Sequence, residues 1–146
     1  MRLLVLLLIV VCSNAFAQTT YILVRHAEKE NTKNDPQLTK EGQERAKRLA
    51  ALLDKQTIDA IYSTNFNRTR NTVQPLADAK GLQVKFYESQ PDIAGLKGTI
   101  VICGHSNTIP ALANSLLGKE QFKTFDDSDY GNILIIKDGS LTHLRY

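Results

Sequence analysis

Apolar residues fall along this chain in short continuous runs that alternate with helical spacings. Tyr21-Ile-Leu-Val24 is an unbroken run of strand length, and Ala46, Leu49, Ala50 and Leu53 then recur on one helical face. Thr39 is placed to cap the start of that helix. Ile58 to Ser63 reads as a second strand. A second helix carries Val73, Leu76 and Ala77, with Pro75 expected to interrupt it and Gly81 to end it. Val84-Lys-Phe-Tyr87 reads as a third strand. Thr99 to Cys103 is a fourth, continuous and β-branched as central parallel strands are. Ile109, Leu112, Ala113, Leu116 and Leu117 mark a third helix that stops at Gly118. Two last runs, Asn132 to Ile136 and Leu141 to Tyr146, flank Asp138-Gly139, the signature of a β-hairpin.

Strands alternating with helices predict a three-layer α/β/α domain, with a mostly parallel sheet between helices and the C-terminal hairpin as an antiparallel edge. The length, 146 residues, suits a single domain that buries its core without metals or disulfides. The first seventeen residues stand apart. Arg2, the apolar run Leu3 to Cys12 and Ala15-Phe16-Ala17 form a basic start, a hydrophobic stretch and an A-x-A cleavage site. Spanning a bilayer takes about 20 apolar residues, so residues 1–17 are expected to be a signal peptide and not an anchor. Bulky Val11 before Cys12 argues against a lipoprotein cleavage site. The mature domain is then expected to span 18–146, exported to the periplasm or secreted, with no membrane attachment. Cys103 becomes its only cysteine, which rules out an internal disulfide and reads as a small core hydrophobe. The net charge of +3 is scattered among acidic residues, which gives no basic stripe for nucleic acid.

Ligands of open α/β sheets bind beyond the carboxyl ends of the strands. Arg25 and His26 follow the first strand, Arg68 comes soon after the second, Glu88 follows the third and His105 the fourth. A lone Arg or Glu on a loop is ordinarily solvated surface, and a lone His is often structural. Their coincidence at four strand ends is what points to a site. Two guanidiniums suit a phosphate. A helix opening at Ser106 would add its N–H groups. Neutral His26 can attack phosphorus, and a carboxylic acid such as Glu88 can protonate a leaving alkoxide. His143 lacks such neighbours and reads as surface. No metal-ligand spacing, P-loop or cysteine-phosphatase loop is present, so neither cofactor nor metal is expected.

The same residues carry a resemblance. Leu23-Val-Arg-His26-Ala-Glu28 resembles the R-H-G/A-E motif of the histidine phosphatase superfamily, the phosphoglycerate-mutase-like proteins. Leu38-Thr-Lys-Glu-Gly42 matches its L-T-x-x-G helix start. Ile61-Tyr-Ser-Thr64 with Arg68-Thr-Arg-Asn-Thr72 is similar to its Y-S-S-x-x-x-R-A-x-Q-T segment, and Cys103-Gly-His105-Ser-Asn107 to its second-histidine motif. The resemblance implies that His26 is the phosphorylated nucleophile. It implies that Arg25, Arg68, His105 and Asn107 hold the phosphate, and that Glu88, or failing it Glu28, is the acid beside His105. Ala27, Thr69 and Asn71 depart from the commoner Gly, Ala and Gln. The short stretch from Ser89 to Gly98 leaves no room for a large lid, which disfavours a mutase and favours hydrolysis of phosphomonoesters or phosphohistidine, on a small molecule or a phosphoprotein.

Two alternatives compete. One is a catalytically weak or inactive phosphate-binding member of the same fold, if the acid is missing. The other is a serine hydrolase, with Ser106 as nucleophile, Asp126, Asp127 or Asp129, and His143; its elbow has Thr108 where a second Gly belongs.

Overall fold

The computed structural model describes residues 18–93 and 95–146. The expected signal peptide and Cys12 lie outside the described residues. Among those described, no helix is long and apolar enough to cross a membrane. The elements are β1 (Thr20–Arg25), α1 (Lys40–Leu52), β2 (Ala60–Ser63), α2 (Asn67–Lys80), β3 (Val84–Phe86), β4 (Thr99–Gly104), α3 (Thr108–Leu117), β5 (Asn132–Lys137) and β6 (Ser140–Arg145). A short 3-10 turn, Gln90–Ile93, precedes β4.

The six strands form one sheet in the order β3-β2-β4-β1-β5-β6. The first four are parallel, and β5 and β6 add an antiparallel edge beside β1. Side chains alternate across a sheet, so each central strand feeds two cores. Ile22, Val24, Val101, Cys103 and Ile133 pack on one face with Leu49 and Leu53 around α1, and Val73 and Leu76 of α2. Leu23, Ile100, Ile102, Leu134 and Ile136 pack on the other with Ile109, Leu112 and Ala113 of α3. The three-layer α/β/α arrangement follows from that alternation, and Cys103 is fully buried within it as a free thiol.

Thr39 caps α1 as its sequence position suggests, its hydroxyl accepting from the Gly42 N–H at 3.1 Å. Gly42 has a second reason to be glycine: a Cβ there would lie 2.2 Å from the Glu28 carbonyl oxygen. The helix therefore seats directly on the backbone that follows His26. Asp138 and Gly139 both take left-handed φ values, 50° and 72°, the type I′ geometry that keeps a hairpin's strands twisted together.

Two expectations need correction. Pro75 does not interrupt α2, which runs unbroken through it. The ring costs one N–H bond, but Val73, Leu76 and Ala77 around it are wholly buried, and their packing carries the helix through the gap. The third helix opens at Thr108 and not at Ser106. The Thr108 hydroxyl accepts from the His105 N–H at 2.9 Å and the Ile109 N–H donates to the His105 carbonyl at 3.1 Å, so the histidine caps the helix from just outside it.

Candidate functional site

Parallel pairing of β1 with β4 sets Arg25 opposite Gly104. The next residue on each strand, His26 and His105, therefore leaves the same edge of the sheet, and the two rings meet edge to face with centroids 5.6 Å apart. The His26 N–H donates to the Gly104 carbonyl at 2.9 Å. A Cβ on Gly104 would lie 2.8 Å from both the Thr108 and the Tyr87 hydroxyl oxygens, so the motif's glycine is a packing requirement.

His26 is 4% exposed. Its Nδ1 lies 2.8 Å from the Ala27 carbonyl oxygen, which can only accept. The neutral ring therefore carries its proton on Nδ1 and keeps the lone pair on Nε2. The Ala27 amide is held in turn: its N–H donates to the Thr72 hydroxyl at 2.9 Å, and Thr72 donates to the Arg68 carbonyl at 2.7 Å. Burial pushes the His26 pKa down to about 4. The Ala27 bond opposes that shift, and the charges of Arg25, His105 and Arg68 add to it. An imidazole held neutral, with one nitrogen tied back, has the lone pair on its other nitrogen available for nucleophilic attack.

Arg25 is 3% exposed. Its terminal nitrogens donate to the main-chain carbonyls of Asp126, Asp127 and Asp129 at 2.7 to 3.1 Å, and its guanidinium lies 4.4 Å from the Tyr130 ring centroid. The fork expected to grip phosphate holds the 126–130 loop, and its Nε is buried without a hydrogen bond. Arg68 is differently placed. One Nη donates to His105 Nδ1 at 3.4 Å, the other lies 3.8 Å from Asp35, and Phe66 lies beneath the guanidinium at 4.5 Å. Its Nε too is buried with no partner. Two unmet guanidinium donors beside two neutral imidazoles are chemically suited to an anion.

His105 completes a relay of side chains. Arginine only donates, so His105 Nδ1 accepts and the proton sits on Nε2. Nε2 donates to Thr64 Oγ1 at 3.0 Å, and Thr64 Oγ1 donates to Thr69 Oγ1 at 3.0 Å. Thr69 in turn reaches the Thr64 carbonyl at 2.8 Å. Burial, then the charges of Arg68 and Arg25, lower the His105 pKa to about 4. Thr69, read from sequence as a departure from the commoner Ala, is thus bonded into this relay. Asp35 caps α2, accepting from the Asn67 N–H at 2.8 Å where the preceding residue, Phe66, offers no side-chain cap.

The two carboxylates proposed for acid work differ sharply. Glu28 is clasped by Arg45, at 2.6 to 2.9 Å through both oxygens. Burial alone would raise its pKa, but the Arg45 hydrogen bonds and charge hold it below the ordinary carboxylate value. Glu28 is a structural anion and not a proton donor. Glu88 lies exposed just past β3 and lines, with Thr64 and Asn107, a cavity of about 260 Å³. Asn107 is exposed at the N-cap position of α3 and makes no capping hydrogen bond.

Comparison with known proteins adds to this geometry. A sequence profile described as histidine phosphatase superfamily (branch 1) matches residues 21–94, half of the chain. The chain belongs to that superfamily. Phosphoserine phosphatase 1 of Hydrogenobacter thermophilus is 41% identical over 70 residues, 43% of this chain and 33% of that protein. The match therefore spans about a third of that curated relative. Among solved structures, mycobacterial glucosyl-3-phosphoglycerate phosphatase superposes with a TM-score of 0.69 at 15% identity, covering 82% of this chain and 90% of its own. The protein histidine phosphatase SixA complexed with tungstate gives 0.68 at 14%, covering 86% and 94%. Phosphoserine phosphatase from Entamoeba histolytica, in complex with 3-phosphoglyceric acid, gives 0.60 at 18%, covering 84% and 96%. At these identities the structures show a shared fold.

The superfamily's motifs acquire physical reasons in this chain. Its R-H pair ends β1, its L-T-x-x-G caps α1 against Glu28, and its R-x-x-x-T holds the Ala27 amide through Thr72. The serine hydrolase reading loses its base, because His143 Nε2 pairs with Asn132 Oδ1 at 2.8 Å out on edge strand β6. Sequence reasoning missed Tyr130, whose ring lies 6.1 Å from that of His26. A signal existed: β5 runs antiparallel beside β1, so the residues just before β5 reach the end where β1 stops.

Proposed function

We propose that this chain is a phosphatase that takes a phosphoryl group onto His26 Nε2 and passes it to water. The observation that carries the reading is the His26 ring: neutral through burial, tied back at Nδ1, and facing unmet arginine donors. In the first step the Nε2 lone pair attacks phosphorus and the P–O bond breaks, its electron pair leaving with the ester oxygen. In the second, water attacks phosphorus, the P–N bond breaks with its pair returning to Nε2, and the water's proton goes to solvent. Arg68, the Arg25 Nε–H and His105 stabilise the charge on the equatorial oxygens. Binding of tungstate, a tetrahedral oxyanion, by the structurally similar SixA fits this pocket chemistry.

The substrate is a phosphomonoester or phosphohistidine, on a small molecule or a protein, and the mechanism needs no metal. Glu88 serves as acid where the leaving group is an alkoxide. Export follows from the expected signal at 1–17, and N-terminal sequencing of the exported chain should begin at Gln18. The decisive test is His26→Ala. It should fold normally, lose turnover and form no acid-labile, base-stable phosphoenzyme; near-normal activity in this variant sinks the mechanism. Activity should survive EDTA, and a lasting loss restored by one divalent ion would count against it.

A further inference from the structure

Beside His105 lies a cavity of about 540 Å³ lined by Thr64, Asn65, Phe66, Phe86, Tyr87 and Glu88. Two of its walls are unusual. Phe66 is 42% and Phe86 52% exposed, two large aromatic side chains open to solvent on one cavity. Single exposed apolar residues are ordinary, but two that share a cavity next to reactive groups mark a binding surface. Two of its lining residues also touch the phosphate site. Phe66 meets the His105 ring edge to face at 5.2 Å and underlies Arg68, while Thr64 accepts from His105 Nε2. Arg70 sits 6.0 Å above Phe86, so the outer wall is also rimmed with positive charge.

We infer that this cavity is a leaving-group subsite for the aromatic ring of an aryl phosphate monoester, an inference that rests on the phosphatase reading above. Two independent features favour a ring over an alkyl chain. Phe66 and Phe86 offer faces and edges on which an aromatic group stacks. The chemistry of departure agrees. An aryloxide leaves with its electron pair at much lower energy than an alkoxide and can take its proton afterwards from solvent. That suits a site in which Glu28 is locked as an anion by Arg45 and cannot supply the proton. A small aryl phosphate and a phosphotyrosine side chain present the same ring and phosphate.

Binding and turnover test this separately. Calorimetry of the chain with phenylphosphonate and methylphosphonate, neither hydrolysable, should give about tenfold tighter binding of the phenyl compound, the scale of one or two aromatic contacts. Phe86→Ala and Phe66→Leu should each collapse that ratio towards one. Equal affinity for the two phosphonates, or a ratio untouched by both variants, overturns the subsite. For turnover, phenyl phosphate is compared with a polyfluorinated alkyl phosphate of matched leaving-group acidity. A higher kcat/KM for the phenyl ester that vanishes in Phe86→Ala supports the subsite, and equal values overturn it. Hydrolysis of neither ester, with the phenylphosphonate preference intact, sinks the phosphatase reading while supporting the ring subsite. A phosphotyrosine peptide run beside phenyl phosphate identifies the source: equal KM means the ring alone is read, and a lower KM for the peptide means polypeptide is read as well.

Discussion

The two sides of the crevice are built from different material. Around His26 the main chain does the holding: the Gly104 carbonyl fixes the His26 backbone, the Ala27 carbonyl fixes its ring, and three carbonyls of the 126–130 loop hold Arg25. Around His105 the contacts are between side chains, Thr64, Thr69, Arg68 and Phe66. Main-chain partners persist whatever side chains the sequence carries, whereas side-chain partners change with a single substitution. The first side is suited to invariant chemistry, the covalent step. The second is suited to adjustment, and it is there that the exposed aromatic cavity opens. A function shared across a superfamily and a specificity peculiar to this chain can then occupy one crevice without interfering.

The largest effect that sharpens this contrast is expected at Arg68. Its guanidinium rests on side chains alone, so Arg68→Ala removes a donor that nothing else supplies. The loss should be about 2–4 kcal/mol of transition-state stabilisation, read from kcat/KM. Arg70, two residues on, bonds Asn67 and faces Phe86, so Arg70→Ala should cost little with alkyl esters. If Arg70 proves essential and Arg68 does not, the assignment of the adjustable side fails.

Next comes pH. Both His26 and His105 are lowered from 6.5 to about 4. Between those values the unfolded chain binds protons that the fold refuses. Stability is therefore full above pH 6.5 and is lost as pH falls towards 4, levelling off below it. His26, the more buried, contributes up to about 3 kcal/mol of that fall. Denaturant titrations at pH 7 and 4.5 measure it, and His26→Gln should flatten the slope. Imidazole NMR titrations with both midpoints above 6 would show that the buried side is not dry.

Much of this architecture is legible in the order of residues alone. The β1, β4 and β5 runs announce themselves because each strand is covered on both faces, and Gly81 and Gly118 mark helix ends by their left-handed φ of 64° and 66°. The R-H and G-H pairs are legible because a parallel sheet must bring strand exits together. Carbonyl contacts are not. Arg25 meets residues more than a hundred positions away through main-chain oxygens, which leave no trace in side-chain identity. The fate of Glu28 is hidden for a related reason: its partner Arg45 is brought near only by α1 seating on Gly42.

That seat supplies a smaller test. Gly42→Ala drives a methyl group against the Glu28 carbonyl, so α1 must shift from the backbone that follows His26. A loss of about 1–3 kcal/mol of stability is expected, the usual cost of overpacking. Thermal unfolding checks it. If activity per folded molecule is unchanged, the main-chain side of the crevice tolerates movement and the contrast between the two sides weakens.

The smallest expected effect lies in the relay. Thr69→Val keeps the shape of a fully buried side chain and removes the hydroxyl that accepts from Thr64. Thr64 Oγ1–H then loses its partner and is free to turn towards His105 Nε2. If it donates there, the imidazole proton must move to Nδ1, where it faces the Arg68 guanidinium instead of accepting from it. The cost should be about 1 kcal/mol, the net worth of one buried hydrogen bond, seen as a several-fold fall in kcat and weaker inhibition by phosphate. Nitrogen-15 shifts of His105 report the tautomer directly, a readout that a merely structural role for Thr69 would not move. Thr69→Ser should restore both the shifts and the rate. A rate loss with the Nε2–H tautomer unchanged would mean that Thr69 supports the turn at Phe66 and not the histidine.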